Sequence, residues 1–447
     1  MPRRRAQTVF AAPEIADGVF ARLQASIDPD WIDEALEATG TATLRRRRLP
    51  AEQVIWLVLG MALFRDRRID EVVAKLDLAL PGRRGPTPAP SAVVQARARL
   101  GDEPMKWLFE RCSEKWAHES ARKHAWRGLA VYGVDGTTVR VPDSPENRAH
   151  FGGQRHRSGD SGYPLARVVT LMALRTHQLA AMEFGPYSNG ETTLAKTLWA
   201  QVPDNALVIV DRGFWDGAAL FPLQDHGACR HWLTRTRSNL KWRMLQTLGL
   251  GDEIVEMEPH HNVRGREPSV PKRWQMRAIR YQRRGFPPQT LLTSMLDPEA
   301  FPAAEIIALY HERWELELGY GEVKTRLLER YEAIRSRKPA GVAQELWGVA
   351  LAYNLVRLEM TRIAAEAGVP PTRISFVMAL NLIRDEWSWC VHTSPGAIPR
   401  HLRNLREKVA RFVLPPRRSD RSFPRAVKLK MSNYALKRQP LSDRHWL

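Results

Sequence analysis

The chain has 447 residues, 44% of them hydrophobic, with 68 Lys and Arg against 49 Asp and Glu, a formal net charge of +19 and a pI near 10.3. That length supports a large core and two or three domains, and the charge favours a polyanionic partner, nucleic acid ahead of an anionic membrane surface. The apolar run "VIWLVLGMALF" has 11 residues, short of the ~20 a membrane-spanning helix needs. The basic opening lacks the apolar stretch of a signal peptide. Cys112, Cys229 and Cys390 are scattered without disulfide or zinc spacing, which points to the cytosol.

The first ~125 residues read as helical. "PAEQVIWLVLGMALF" and "IDEVVAKLDLAL" flank a basic break, "RDRR". The Pro/Gly-rich "PGRRGPTPAPS", 81 to 91, reads as a connector. Ser91 is a candidate N-cap for "AVVQARARLG", a short helix stopping at Gly101. Its Arg97 and Arg99 suit either DNA contact or a solvated helix face.

From Leu129 the pattern turns to strands: "LAVYGVD" and "TTVRV" joined through Gly136, then "LARVVTLMAL" and "LAAMEF". A helix is expected over 191–202, followed by "ALVIVD", a continuous apolar run suited to a strand buried on both faces. "RHWLTRT" and "QTLLTSML" are later strands, and the basic stretch between them, about 240–288, reads as an insertion. After Pro302 one long helix is expected through "YHERWELELGYGEVK". Helices alternating with an extended sheet give an α/β class. The tail from His401 holds 13 Lys and Arg against three acids, either a solvated tail or a set of phosphate contacts.

On an uninterrupted α-helix, Tyr310, Arg313, Glu317 and Lys324 share a wedge of roughly 60°. Leu309, Leu316, Tyr320, Val323 and Leu327 form the adjoining apolar stripe. Charges flush against a buried stripe suggest a carboxylate kept ionised by its neighbours; an ordinary ion-pair face is the alternative. Asp135 and Asp211 each end an apolar strand run. With Glu317 they make three hard oxygen donors, a set suited to Mg²⁺. Taken singly, each Asp is more simply a turn residue.

The spacing Tyr310, Arg313, Glu317, Lys324 resembles the signature of the DDE transposases of the insertion-sequence-four family. "VYGVDGTTVRVPDSPENRAHFG" resembles that family's first motif, "ALVIVDRGFWDG" its second, and "LLTSMLDPEAFPAAEIIALY" its approach to the third. The resemblance covers about 130–360, and more weakly the helical region before it. It implies a ribonuclease H-like catalytic core with a mostly β insertion, preceded by a helical N-terminal DNA-binding domain. The implied boundaries are 1–125 for end binding, 126–360 for catalysis and 361–447 for a helical, basic C-terminal region. It further implies that Asp135, Asp211 and Glu317 are catalytic and bind two Mg²⁺, with Mn²⁺ as a substitute. Tyr310, Arg313 and Lys324, with Arg212 of the Asp-Arg-Gly, are expected on DNA phosphates. The partners implied are transposon-end and target double-stranded DNA, and a second copy in a synaptic dimer at the bacterial nucleoid. A nuclease on the same core and a catalytically silent DNA-binding regulator are the alternatives.

Other residues read more plainly. "HERWE" has Glu315 where a zinc helix needs His. Asp143, Asp160 and Asp216 read as loop or cap residues, and Glu191 as an acid in the first turn of a helix. His260 and His261 lack partner ligands. Trp242 and Trp274 suit core packing or, alternatively, stacking on an unpaired base. Glu312, Glu315 and Glu322 read as surface charges.

Overall fold

The segment Ala51–Leu63 carries no charge after Glu52, and it folds as a helix buried along nearly its whole length. All-round apolarity suits only the inside of a helical layer. The computed structural model describes residues 27–42, 49–76, 88–156, 159–160, 162–237, 240–283, 286–328, 334–389, 404, 406–415, 426–428 and 435–437. The connector at 81–87 and most of the basic tail lie outside the described residues.

In chain order the first helices are α1 (Pro29–Ala38), α2 (Ala51–Leu63), α3 (Ile69–Lys75), α4 (Pro90–Leu100) and α5 (Glu103–Ser113), the last continuing through a π-helical stretch into α6 (Glu119–Lys123). Next come β1 (Ala130–Arg140), α7 (Pro145–Phe151), the short strands β2 (Arg155–His156) and β3 (Gly159–Asp160), β4 (Leu165–Ala173) and β5 (Leu179–Pro186). They are followed by α8 (Glu191–Leu198), β6 (Ala206–Val210), α9 (Gly217–Asp225) and β7 (Arg230–Arg235). The stretch read as an insertion holds β8 (Arg243–Gly249), β9 (Asp252–Met257), α10 (His261–Arg266) and β10 (Trp274–Tyr281), and β11 (Gln289–Thr293) follows. The remainder is α11 (Ala303–His311), α12 (Trp314–Gly321), α13 (Pro339–Ala367), α14 (Phe376–Trp389) and a hairpin of β12 (Ala426–Lys428) with β13 (Ala435–Lys437). No helix among the described residues is long and apolar enough to cross a membrane.

These elements divide into two compact units. The first comprises Met1–His124, Asp135–Gln201 and Glu315–Val413; the second comprises Ala125–Val134, Val202–Trp314 and Leu414–Leu447. Strand β1 therefore contributes its first five residues to one unit and the rest to the other.

In the first unit α13 is the hub. Gly348 lets α2 approach so closely that a Cβ there would lie 2.5 Å from Val58. Trp347 meets Phe109 at 5.4 Å and Phe184 at 5.2 Å between ring centroids. Asn354 accepts from the Leu179 amide (2.8 Å) and donates to the Leu179 carbonyl (2.8 Å), pinning the start of β5. Helix α4 starts at Pro90 with Ala89 as its cap, so Ser91 is not the N-cap; Pro90 at the first helical position sets the start instead. Arg97 does not face outward for DNA. It donates to Gln344 (2.9 Å), Ser336 (3.0 Å) and Glu345 (3.3 Å), and only Arg99 of the pair is exposed.

The second unit is built on strands. The first five residues of β1 pair in parallel with β6, and β6 pairs in parallel with β7. The order then continues β7-β11-β10-β9-β8, all antiparallel. Trp274 is 3% exposed and packs against Trp215, Trp232 and Phe221, so it is a core residue. The buried Arg277 forks onto Asp252 at 2.7 and 2.6 Å, joining β10 to β9.

Within the first unit β4 pairs antiparallel with β5. The first unit thus holds the antiparallel β4–β5 pair and the second the parallel β1, β6 and β7 set with β8–β10 as the β insertion, the elements of the ribonuclease H-like class. One expectation changes. "LAVYGVD" and "TTVRV" are a single strand, because Gly136 continues the extended backbone without a turn.

Candidate active site

Asp135 sits within β1, not at its end. What ends there is the parallel pairing with β6. The last registered pair is Val134 with Val210, and each is followed directly by an aspartate, Asp135 and Asp211. The Asp135 carboxylate accepts from the Gly136 amide at 2.8 Å. Asp211 leaves its strand to cap a 3₁₀ turn, its Oδ1 accepting from the amides of Gly213 (2.6 Å) and Phe214 (3.3 Å). The turn is held from behind. Thr234 donates to the Asp211 carbonyl (3.1 Å), and Arg237 donates to the carbonyls of Arg212 (2.9 Å) and Gly213 (2.8 Å). Arg212 is exposed.

The segment carrying the other four residues is not one α-helix. A turn at Glu312 and Arg313 separates α11 from α12, and α12 runs on into a π-helical stretch, Glu322–Leu327. The single 60° wedge therefore does not hold, since both breaks change the angle per residue. Tyr310, 8% exposed, lies at the end of α11 in the second unit, where burial raises its hydroxyl pKa against the pull of Arg313 and Arg235. Arg313 also stacks its guanidinium over Trp314 at 5.6 Å. Glu317 is exposed on α12, in the first unit.

Helix α12 is docked onto β1 and β4 within the first unit. Lys324 donates to Thr137 at 3.1 Å, two residues past Asp135. Tyr320 donates to the Asp135 carbonyl and shares a 2.9 Å hydrogen bond with Thr170 on β4. Burial, with the Asp135 charge adding to it, raises the Tyr320 hydroxyl, so it stays a proton donor. Gly319 makes the approach possible, because a Cβ there would lie 2.5 Å from the Met172 side chain. The sequence pattern places Tyr320 in the apolar stripe; its hydroxyl is the signal that it needs a partner.

Two of the residues expected as surface charges are half-buried and paired. Glu322 is bound by Arg357, His177 and Tyr353, and Glu315 by His177. Glu191 does lie in the first turn of α8, but it also pairs with Arg167 at 2.5 Å and packs against Gly136, where a Cβ would be 2.4 Å from its Cδ. Asp216 caps α9 and takes both arms of Arg266 (2.9 and 3.0 Å), and Asp143 pairs with Arg148.

The structure thus joins Asp135 to α12 through Tyr320 and Lys324, and Asp211 directly follows Val210, the β6 residue in register with Val134. Among the described residues, no three His, Cys, Asp or Glu side chains already converge on a metal-holding position. The donor chemistry of Asp135, Asp211 and Glu317 is all carboxylate, which fits a hard divalent cation.

Residues 18–110 match the family profile described as insertion element 4 transposase N-terminal, and residues 126–355 the one described as transposase DDE domain. The chain is 38% identical over 403 residues to the transposase InsG for insertion sequence element IS4 of Escherichia coli (strain K12), covering 90% of each chain. The chain belongs to the insertion-sequence-four family of DDE transposases. A second Escherichia coli (strain K12) relative of this transposase, the putative transposase InsZ, is 36% identical over 219 residues, 48% of this chain and 72% of that one. A piggyBac transposase in a synaptic complex with hairpin DNA, solved by cryo-electron microscopy, aligns with a TM-score of 0.40 at 11% identity, over 92% of this chain and 88% of that one. The DDE domain makes this transposase a divalent-metal-dependent enzyme acting on DNA. The nuclease and silent-regulator alternatives are not favoured.

Proposed function

We propose that this transposase cleaves DNA at the ends of its own element and joins the freed 3′-OH to target DNA, with Asp135, Asp211 and Glu317 as the catalytic carboxylates. These three would hold two Mg²⁺, or Mn²⁺, which when bound polarise the attacking and leaving oxygens of an in-line phosphoryl displacement. The observation that carries this reading is the Val134–Val210 register, which both aspartates follow directly. The hydrogen bonds of Tyr320 and Lys324 support it, by tying the Glu317 helix to the Asp135 strand.

The remaining parts act by position and charge. Asp211 has one oxygen engaged by two amides, which orients its carboxylate. Arg212, Arg313, Lys324 and the Tyr310 hydroxyl are assigned to DNA phosphates, holding the scissile bond in place. No Ser, Cys or Tyr nucleophile is needed, because the attacking group is water and then a 3′-OH. Residues 1–125 are assigned to end recognition, 126–360 to catalysis and 361–447 to a helical and basic extension. Two copies would pair two ends in a synaptic dimer, at the nucleoid.

The test is cleavage of a duplex carrying the element's own terminus, with and without Mg²⁺. Asp135→Ala, Asp211→Asn and Glu317→Gln should each abolish cutting while end binding persists, since basic contacts dominate binding. Undiminished cutting by any of the three removes that residue from the site.

A further inference from the structure

We propose that Glu322, Arg357 and His177 are positioning residues, an ionic brace that sets the rotation of the helix carrying Glu317 and Lys324. The inference rests on the reading of Glu317 as a catalytic carboxylate.

The brace is built from three separate elements of the first unit. Arg357 lies on α13 and is 1% exposed, its guanidinium over Phe376 at 5.6 Å. It reaches both oxygens of Glu322, at 2.6 and 2.5 Å. His177 occupies the β4–β5 turn in a left-handed backbone conformation (φ 59°) and is also 1% exposed. Its ring meets Glu315 through Nε2 (2.7 Å) and Glu322 through Nδ1 (3.4 Å), and it also contacts Arg357. Tyr353 adds a 2.8 Å hydrogen bond to Glu322.

The placement matters more than the charge. Glu315 precedes Glu317 by two residues, and Glu322 precedes Lys324 by two. His177 therefore holds the helix at Glu315, before Glu317, and Arg357 with Tyr353 holds it at Glu322, after Glu317, where α-helix becomes π-helix. A helix held at one point can turn about its axis; one held at two points along its length cannot. Burial raises the Glu322 carboxyl, but Arg357, His177 and Tyr353 outweigh it and hold the group at about 2, so Glu322 stays charged. Apolar residues could fill the same space, but they would not fix the rotation by directional bonds. The planar fork of Arg357 supplies geometry that a lysine could not.

The experiment compares Glu322→Gln, Arg357→Lys and Tyr353→Phe with Glu317→Gln in the full chain. It reads thermal stability, affinity for an end-containing duplex, single-turnover cleavage and amide exchange over 314–327 in the metal-free, DNA-free protein. Glu322→Gln and Arg357→Lys should slow cleavage at least about tenfold, as expected for a misplaced catalytic group. End affinity should stay within about threefold, and exchange over 314–327 should rise. Tyr353→Phe should shift rate and exchange the same way to a smaller extent, and it decides the matter if Glu322→Gln does not fold. Wild-type cleavage and unchanged exchange in the folded variants, even with a lowered melting temperature, overturn the proposal and leave the cluster as packing. If Glu317→Gln itself cleaves normally, the underlying reading of the site fails; if it is inactive while Glu322→Gln is normal, only the brace fails.

Discussion

Tyr320 donates its hydroxyl hydrogen to the backbone carbonyl of Asp135. A side chain three residues beyond Glu317 thereby fixes the main chain of the first aspartate, 185 positions away in sequence. Tyr320→Phe removes that bond while keeping the ring. The expected loss is about 1 kcal/mol of stability and a fall in cleavage of roughly tenfold, at unchanged end affinity. Denaturant unfolding with single-turnover cleavage measures both; equal rates for the two proteins would show that Asp135 is held adequately by β1 alone.

Gly136 has a different role, that of leaving room. A Cβ at this position would meet Glu191 at 2.4 Å, and the Glu191 side chain is tied down by Arg167. Gly136→Ala should therefore destabilise the protein by about 1–3 kcal/mol through overpacking. Pairing it with Glu191→Ala should recover most of the loss, because the two sites share one contact. A double-mutant cycle by chemical denaturation checks this; strict additivity would mean that Glu191 moves aside freely.

Glu345 is 3% exposed and meets Arg65, Arg97, Ser336 and the amide of Arg335. Burial raises its carboxyl, but these partners prevail and the net pKa is lowered. A lowered folded-state pKa contributes stability that is present above the unfolded value, about 4.3, and lost as pH falls through the folded value. Glu345→Gln should cost about 3–5 kcal/mol near neutrality, and the gap to wild type should narrow below about pH 4. Melting temperatures from pH 7 down to 3 report it, and a gap that widens in acid would contradict the sign.

Arg97 and Arg212 should separate cleanly in salt titrations. Arg212 is exposed, whereas Arg97 is engaged with Glu345, Gln344 and Ser336. Arg212→Ala should weaken end binding and lower the slope of log affinity against log salt by about 1. Arg97→Ala should leave that slope alone and reduce thermal stability instead. Filter binding across a salt series distinguishes them, and a reduced slope for Arg97→Ala would return that helix to the DNA.

The fold was legible wherever the chain is periodic or continuously apolar. "ALVIV" reads as an interior strand and is one, with Asp211 as the residue that follows it. The spacing of Tyr310, Arg313, Glu317 and Lys324 singled out this segment as the candidate site without any coordinates. Its conformation was not legible, because the turn at Glu312–Arg313 and the π-helical stretch depend on what the helix packs against. The same limit applies to Glu322. Its partners His177 and Arg357 lie 145 and 35 residues away, and no local pattern distinguishes a carboxylate awaiting a distant arginine from one facing water. Arg97 failed for the same reason, its acid partner being 248 positions distant. The boundary at Asp135 was not legible either, since Gly136 after an apolar run reads as a turn even where the strand continues.

The π-helical stretch between Glu317 and the end of the helix makes this part of the gene sensitive to length in a way that it is not to spelling. An α-helix advances by about 100° per residue, so deleting one codon after Gly321 would swing every later side chain by roughly that angle relative to Glu317. Substitution along Glu322–Leu327 alters one group at a time, whereas a single-codon deletion or insertion uncouples Lys324 from Thr137 and Glu322 from Arg357 together. In-frame indels at this point should be far more damaging than their size suggests, and the six-residue interval between Glu317 and Lys324 is a mechanical dimension of the enzyme.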